Sequence, residues 1–165
     1  GILKILLAES VPITDLKRVL ELLSNINISK MSIVEIAEII RPALVGLLIQ
    51  KICPINKELA VITLSPEMEQ IIINALKEKN TTGISLDPTF TKNMLKAIAQ
   101  AYETASSKGD NCILLTSPII RKDLANLIRQ NIEDLHVLAF TELPETRRIN
   151  IIATIENKLQ EENNK

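Results

Sequence analysis

Aromatic side chains are almost missing from this chain: Phe90, Tyr102 and Phe140 are the whole set, and there is no tryptophan. Proteins that hold single-stranded nucleic acid stack its bases on such rings, so that class of function loses its platform. Glycine is scarce too, and the four residues Gly1, Gly46, Gly83 and Gly109 form no Gly-rich loop of the kind that cradles phosphates. One histidine, His136, and two distant cysteines, Cys53 and Cys112, offer no metal-ligand spacing and no CxxC pair. The cysteines read as small buried hydrophobes of a reducing compartment. His136 reads as a partly buried hydrogen-bonding group at a strand start. Charge of one sign is also lacking: 19 basic and 20 acidic side chains leave a net charge of −1, with no long basic run to attract DNA or RNA.

What is present is aliphatic. Hydrophobic residues make up 46% of the 165, mostly Ile and Leu, enough for a packed core or for two small lobes. The most apolar stretch, "IIRPALVGLLIQKIC", carries Arg41 and Lys51, and it falls short of the roughly 20 apolar residues a membrane helix needs. Lys4 and Glu9 interrupt the N-terminal apolar pattern, so no signal peptide is read there. Opening on Gly1 instead of Met reads as a fragment cut from a longer chain.

Residues 1–53 carry helical periodicity, with Leu16, Val19, Leu20 and Leu23 on one stripe of the second segment. "NINISKM" reads as a polar loop. Ser32 with Glu35 three residues on is a capping box, opening a long helix through about Cys53 that Pro42 is expected to kink near Glu38–Arg41. After Pro54 the period changes. Leu59–Leu64, Cys112–Thr116, His136–Phe140 and Arg148–Ile155 are rich in strand formers, with helical patterns over 67–79, 89–107 and 119–131 between them. The fold class is therefore mixed α/β: an all-helical subdomain over 1–58, then a small α/β subdomain over 59–157 with a mostly parallel sheet. Residues 158–165 read as a polar tail.

Ser65-Pro66, Asp87-Pro88 and Ser117-Pro118 each stand directly before a helical pattern. A serine at a strand end could be a nucleophile, but an elbow of that kind needs glycines around the serine and a base beside it. Here Leu64, Pro66, Thr116 and Pro118 are the flanks. A capping oxygen followed by proline at the first helical position explains all three, so Ser65, Asp87 and Ser117, like Ser32, are expected to be side-chain helix caps. Arg121, Lys122 and Arg129 are expected on a solvated helix face, and Glu142 and Glu145 in an exposed turn. No catalytic, cofactor or metal residue is assigned.

Several stretches together resemble a known family. "LLAESVPITDLKRVLELLSN", "IIRPALVGLLIQKIC", "VITLSPEMEQIIINAL" and above all "CILLTSPIIRKDLANLIRQNIEDLHVLAFTEL" keep the order and spacing of the export-gate proteins of flagellar and virulence type III secretion (FlhA/InvA-like, FHIPEP), closer to the flagellar side. The resemblance runs from about Ile2 to Ile155. It departs from the family where Val45 and Gly46 replace a Gly-Arg pair, where Pro42 intrudes, and where His136 replaces a proline.

The resemblance implies a non-enzymatic structural and docking module. It would be the third and fourth cytoplasmic subdomains of a bacterial inner-membrane protein. In the full-length protein it would join a homo-oligomeric ring that receives export chaperone–substrate complexes and ATPase-complex components. No cofactor, nucleic acid or membrane span in this segment is implied. Arg41 is the candidate ring contact, with self-contact expected around it and the Asn25–Lys30 loop. The rival is a small α/β enzyme or ligand-binding domain with its pocket at the strand C-termini near Ser65 and Ser117.

Overall fold

The computed structural model describes residues 1–78 and 86–157, so the tail expected over 158–165 lies outside the described residues. Two compact units divide the chain: Gly1–Lys57 with Thr141–Pro144, and Glu58–Phe140 with the chain from Glu145. The return of 141–144 to the helical unit is not visible in the linear order, which suggested one boundary near residue 58.

The helical unit holds α1 (Ile2–Ala8), α2 (Leu16–Ser24), α3 (Ile33–Ile40) and α4 (Gly46–Ile52), with short 3-10 turns at Ile28–Lys30 and Arg41–Ala43. Helix α1 is closed by Ser10 in the left-handed conformation (φ 58°), with Val11 N–H bonded back to the Leu6 carbonyl at 3.0 Å. That closure ends α1 at Ala8, four residues before Pro12. The capping box at the start of α3 is present: Glu35 N–H donates to Ser32 Oγ at 3.2 Å, and Ser32 N–H donates to the Glu35 carboxylate at 2.7 Å.

The expected kinked helix is two helices. Proline has no N–H for the Glu38 carbonyl, and its ring crowds that turn, so α3 ends at Ile40. The chain then tightens into the 3-10 turn, with Leu44 and Val45 both donating to the Arg41 carbonyl at 2.9 Å, before α4 begins.

The α/β unit runs β1 (Leu59–Leu64), α5 (Pro66–Lys77), α6 (Pro88–Ser107), β2 (Cys112–Thr116), α7 (Pro118–Asn131), β3 (Val137–Ala139) and β4 (Ile149–Ile155). The sheet order is β3-β2-β1-β4 and every pairing is parallel. Parallel strands need crossovers, and α5 with α6, then α7, supply them. Ala60, Ile62, Cys112, Leu114 and Val137 share one core with Ile72, Ile98, Leu124 and Ile128 of the helices. Leu59, Val61, Ile113 and Leu138, which alternate with them, are fully buried too. Burial on both faces is why β1 and β2 read as unbroken apolar runs. The strand expected over His136–Phe140 shortens to Val137–Ala139, while the His136 carbonyl still accepts from Leu114 N–H at 2.9 Å. Gly109 (φ 80°) closes α6, a conformation that excludes most side chains.

Candidate functional site

Strand β1 is the point where the sheet reverses, since the chain passes from it to β2 on one side and later returns as β4 on the other. Open α/β sheets place ligands outside the strand C-termini at such a point. A cavity of about 650 Å³ lies there, lined by Ser65, by Glu67, Gln70, Ile71 and Asn74 along α5, and by Glu156 just past β4. Ser65 locks the two sides together: its N–H donates to the Ile155 carbonyl at 2.8 Å, and its Oγ accepts from Met68 N–H at 3.2 Å.

The three helix starts are not equivalent. Ser65 and Asp87 cap α5 and α6 with their side chains, Asp87 accepting from Phe90 N–H at 2.9 Å. Ser117 does not: its side chain makes no cap bond to α7. Its own N–H donates instead to Glu69 Oε1 at 2.8 Å, so a carboxylate from α5 serves the start of α7. Nothing local foretells this, because Glu69 lies 48 residues away. Nor does Ser117 line the cavity that the rival reading placed beside it.

Removing the hydroxyl should therefore separate the two serines. Ser65→Ala is expected to cost about 0.5–2 kcal/mol as a lost cap, and Ser117→Ala to stay within about 0.5 kcal/mol. Urea unfolding of the two variants checks this, and equal losses would contradict the assignment.

Two arginines overturn expectation. Arg41 is 2% exposed, with Nε donating to Glu9 Oε2 at 3.0 Å and an Nη to Glu142 Oε1 at 2.9 Å. The candidate ring contact is thus buried as an internal strut of the helical unit. Glu142, expected in solvent, is buried as its partner; Glu145 is exposed. Arg121, placed on a solvated face, is 1% exposed, and its guanidinium lies 3.4 Å from the Val137 carbonyl. Lys122 is half-buried and Arg129 exposed.

The signal for both burials was present. Ala37, Ile40, Arg41 and Leu44, like Arg121, Leu124, Ala125 and Ile128, fall at i, i+3, i+4, i+7 spacing on a buried stripe. Position marked these arginines as internal although their chemistry marked them as external.

Burial pushes the Cys112 thiol up from 9.0 to about 11, so it stays protonated and a poor nucleophile at neutral pH. His136 is half-buried at the approach to β3. Among the described residues, no group of three or more His, Cys, Asp or Glu side chains could hold a metal ion. None of their helices is long and apolar enough to cross a membrane.

Comparison with known proteins gives a consistent picture. The sequence signature of the FHIPEP family matches residues 1–148. The flagellar biosynthesis protein FlhA of Buchnera aphidicola is 33% identical over 156 residues, covering 93% of this chain and 22% of that protein. A solved complex of Chlamydia pneumoniae CdsV and CdsO is similar with a TM-score of 0.81 and 27% identity, over 93% of this chain and 46% of the other. The nonameric EscV cytosolic domain from the type III secretion system shares the fold, with a TM-score of 0.70, 20% identity and coverage of 93% and 46%. The chain thus spans about a fifth of the length of the curated relatives it matches.

Proposed function

Because the chain belongs to the FHIPEP family, which includes flagellar and type III secretion export-gate proteins, we propose that it is a structural and docking module of such a gate. In this reading it is a non-enzymatic, cytoplasmic part of a bacterial inner-membrane protein, its two units being the third and fourth subdomains of that region. It takes its place in a homo-oligomeric ring and helps receive chaperone–substrate complexes and ATPase-complex components. The observation that carries this is the family match, which runs through the helical unit and most of the α/β unit. The EscV nonamer and the CdsV–CdsO complex add precedent for ring and partner in proteins of the same fold.

With Arg41 internal, the ring surface is assigned to helix α2. Val19 alone of its residues is fully buried, while Leu16 and Leu20, one turn apart, are 52% and 66% exposed. Lys17 and Arg18 flank them and pair only loosely with Glu21, at 3.9 Å each. Exposed leucines one turn apart on a short helix are a natural contact for a neighbouring subunit.

Leu20→Glu in the full-length protein is expected to lower export of a secreted substrate by about tenfold or more, as loss of an interface anchor does. The unfolding free energy of this segment should stay within about 0.5 kcal/mol of wild type, since the residue is exposed. Undiminished export by a stably expressed variant would remove α2 from the ring surface. The isolated segment is expected to be mainly monomeric at micromolar concentration, because weak ring contacts rely on subunits held close together. Sedimentation equilibrium reads this directly. If instead the chain were an enzyme domain, nucleotides, phosphosugars or metals would raise its melting temperature.

A further inference from the structure

The cavity at the C-terminal ends of β1 and β4 has a lining chemistry that ring membership does not use. We propose that it is a docking site for a peptide segment bearing lysine or arginine.

Its charge is the first argument. The carboxylates of Glu67, in the first turn of α5, and Glu156, just past β4, stand on its two sides, and none of its lining residues is basic. A helix N-terminus ordinarily favours an anion, but here Glu67 and Glu69 already occupy that first turn. Phosphate or carboxylate guests are therefore repelled, and a guanidinium or ammonium group is drawn in.

The uncharged groups then select a peptide over a bare cation. Ser65 is 5% exposed; its Oγ accepts from Met68 N–H and its hydroxyl donates to no group among the described residues. As a cavity-lining group, that hydroxyl can donate to a carbonyl oxygen. One helical turn apart on α5, Gln70 Nε2 donates to Asn74 Oδ1 at 2.8 Å. That pairing orients both carboxamides, leaving the Gln70 oxygen as an acceptor and the Asn74 nitrogen as a donor, the complement of a peptide unit. Pro66 and Ile71 supply the apolar surface along which the methylene stem of a Lys or Arg packs. The volume of about 650 Å³ lies within the range of roughly 300–1,000 Å³ common to ligand sites.

The test uses this chain, ¹⁵N-labelled, titrated with capped tetra-arginine, tetra-alanine and tetra-glutamate peptides. The arginine peptide is expected to shift the amides of residues 65–74 and 156 saturably, and the other two to leave them in place. The exposed pair Glu67→Gln with Glu156→Gln should weaken binding by about fivefold, as loss of two solvent-facing ion pairs does. Asn74→Arg, which sets a cation in the wall at an exposed position, should abolish it. Two results would overturn the proposal. One is arginine-peptide shifts scattered over other acidic surfaces with none at the cavity. The other is unchanged affinity in the double variant. Neither depends on α2, so failure of the ring assignment and failure of this site are told apart.

Discussion

Replacing Arg41 by alanine is expected to destabilise the chain by about 3–5 kcal/mol, the usual cost of removing one partner from a buried ion pair. Arg41 bridges two carboxylates that are far apart in sequence, Glu9 after α1 and Glu142 in the segment Thr141–Pro144. The side chains of Arg41 and Glu142 are both 3% exposed, whereas that of Glu9 is 13% exposed and keeps some contact with water. Without the guanidinium, Glu142 would stay buried but lose its ion pair with Arg41, and a buried carboxylate is costlier once a paired cation is taken from it. Protonation of Glu142 or release of 141–144 would relieve part of this, and either path lowers stability.

Charge burial and lost packing can be separated with a second variant. Arg41→Met with Glu142→Leu leaves no buried charge at that end of the bridge and keeps most of the volume, so it should be much milder than Arg41→Ala. Urea denaturation of the three proteins measures this. If Arg41→Ala lost less than about 1 kcal/mol, the bridge would be a passive contact.

Leu114→Ala is expected to cost about 2–5 kcal/mol through a core cavity. Leu114 is fully buried on β2, an interior strand, with Ile62 of β1 on one side and Val137 of β3 on the other. Three adjacent strands and the helices packed on that face surround the missing atoms, so collapse onto the space would mean moving the ladder itself. For a chain of this size each kcal/mol is worth about 2–4 °C. Calorimetry should therefore show a melting temperature lower by roughly 10 °C. A fall of only a degree or two would mean that the core repacks.

The parts of the fold written in the sequence are those decided within a few residues. Val, Ile and Leu in Leu59–Leu64 and Cys112–Thr116 read as strands because a run of such side chains buries on both faces, and both strands lie where they were read. Pro66, Pro88 and Pro118 mark the first residues of α5, α6 and α7, since the first helical position is where proline loses nothing. Ser32 and Glu35 close their capping box across three residues. The family resemblance was equally legible, being carried by these same spaced motifs.

What sequence reading left out are the partnerships. Arg41 meets Glu9 across 32 residues and Glu142 across 101, and Ser117 meets Glu69 across 48. A charged side chain read alone is assigned to water, because burying it unpaired is costly; only the folded chain brings up the partner that cancels that cost. The same holds for the cavity beside Ser65. Its carboxylates come from the start of α5 and the end of β4, and only the return of β4 alongside β1 sets Glu156 near Glu67. Period and capping are local physics and belong to the sequence, whereas the pairing of buried charges and the shape of the site arise when distant segments close on one another.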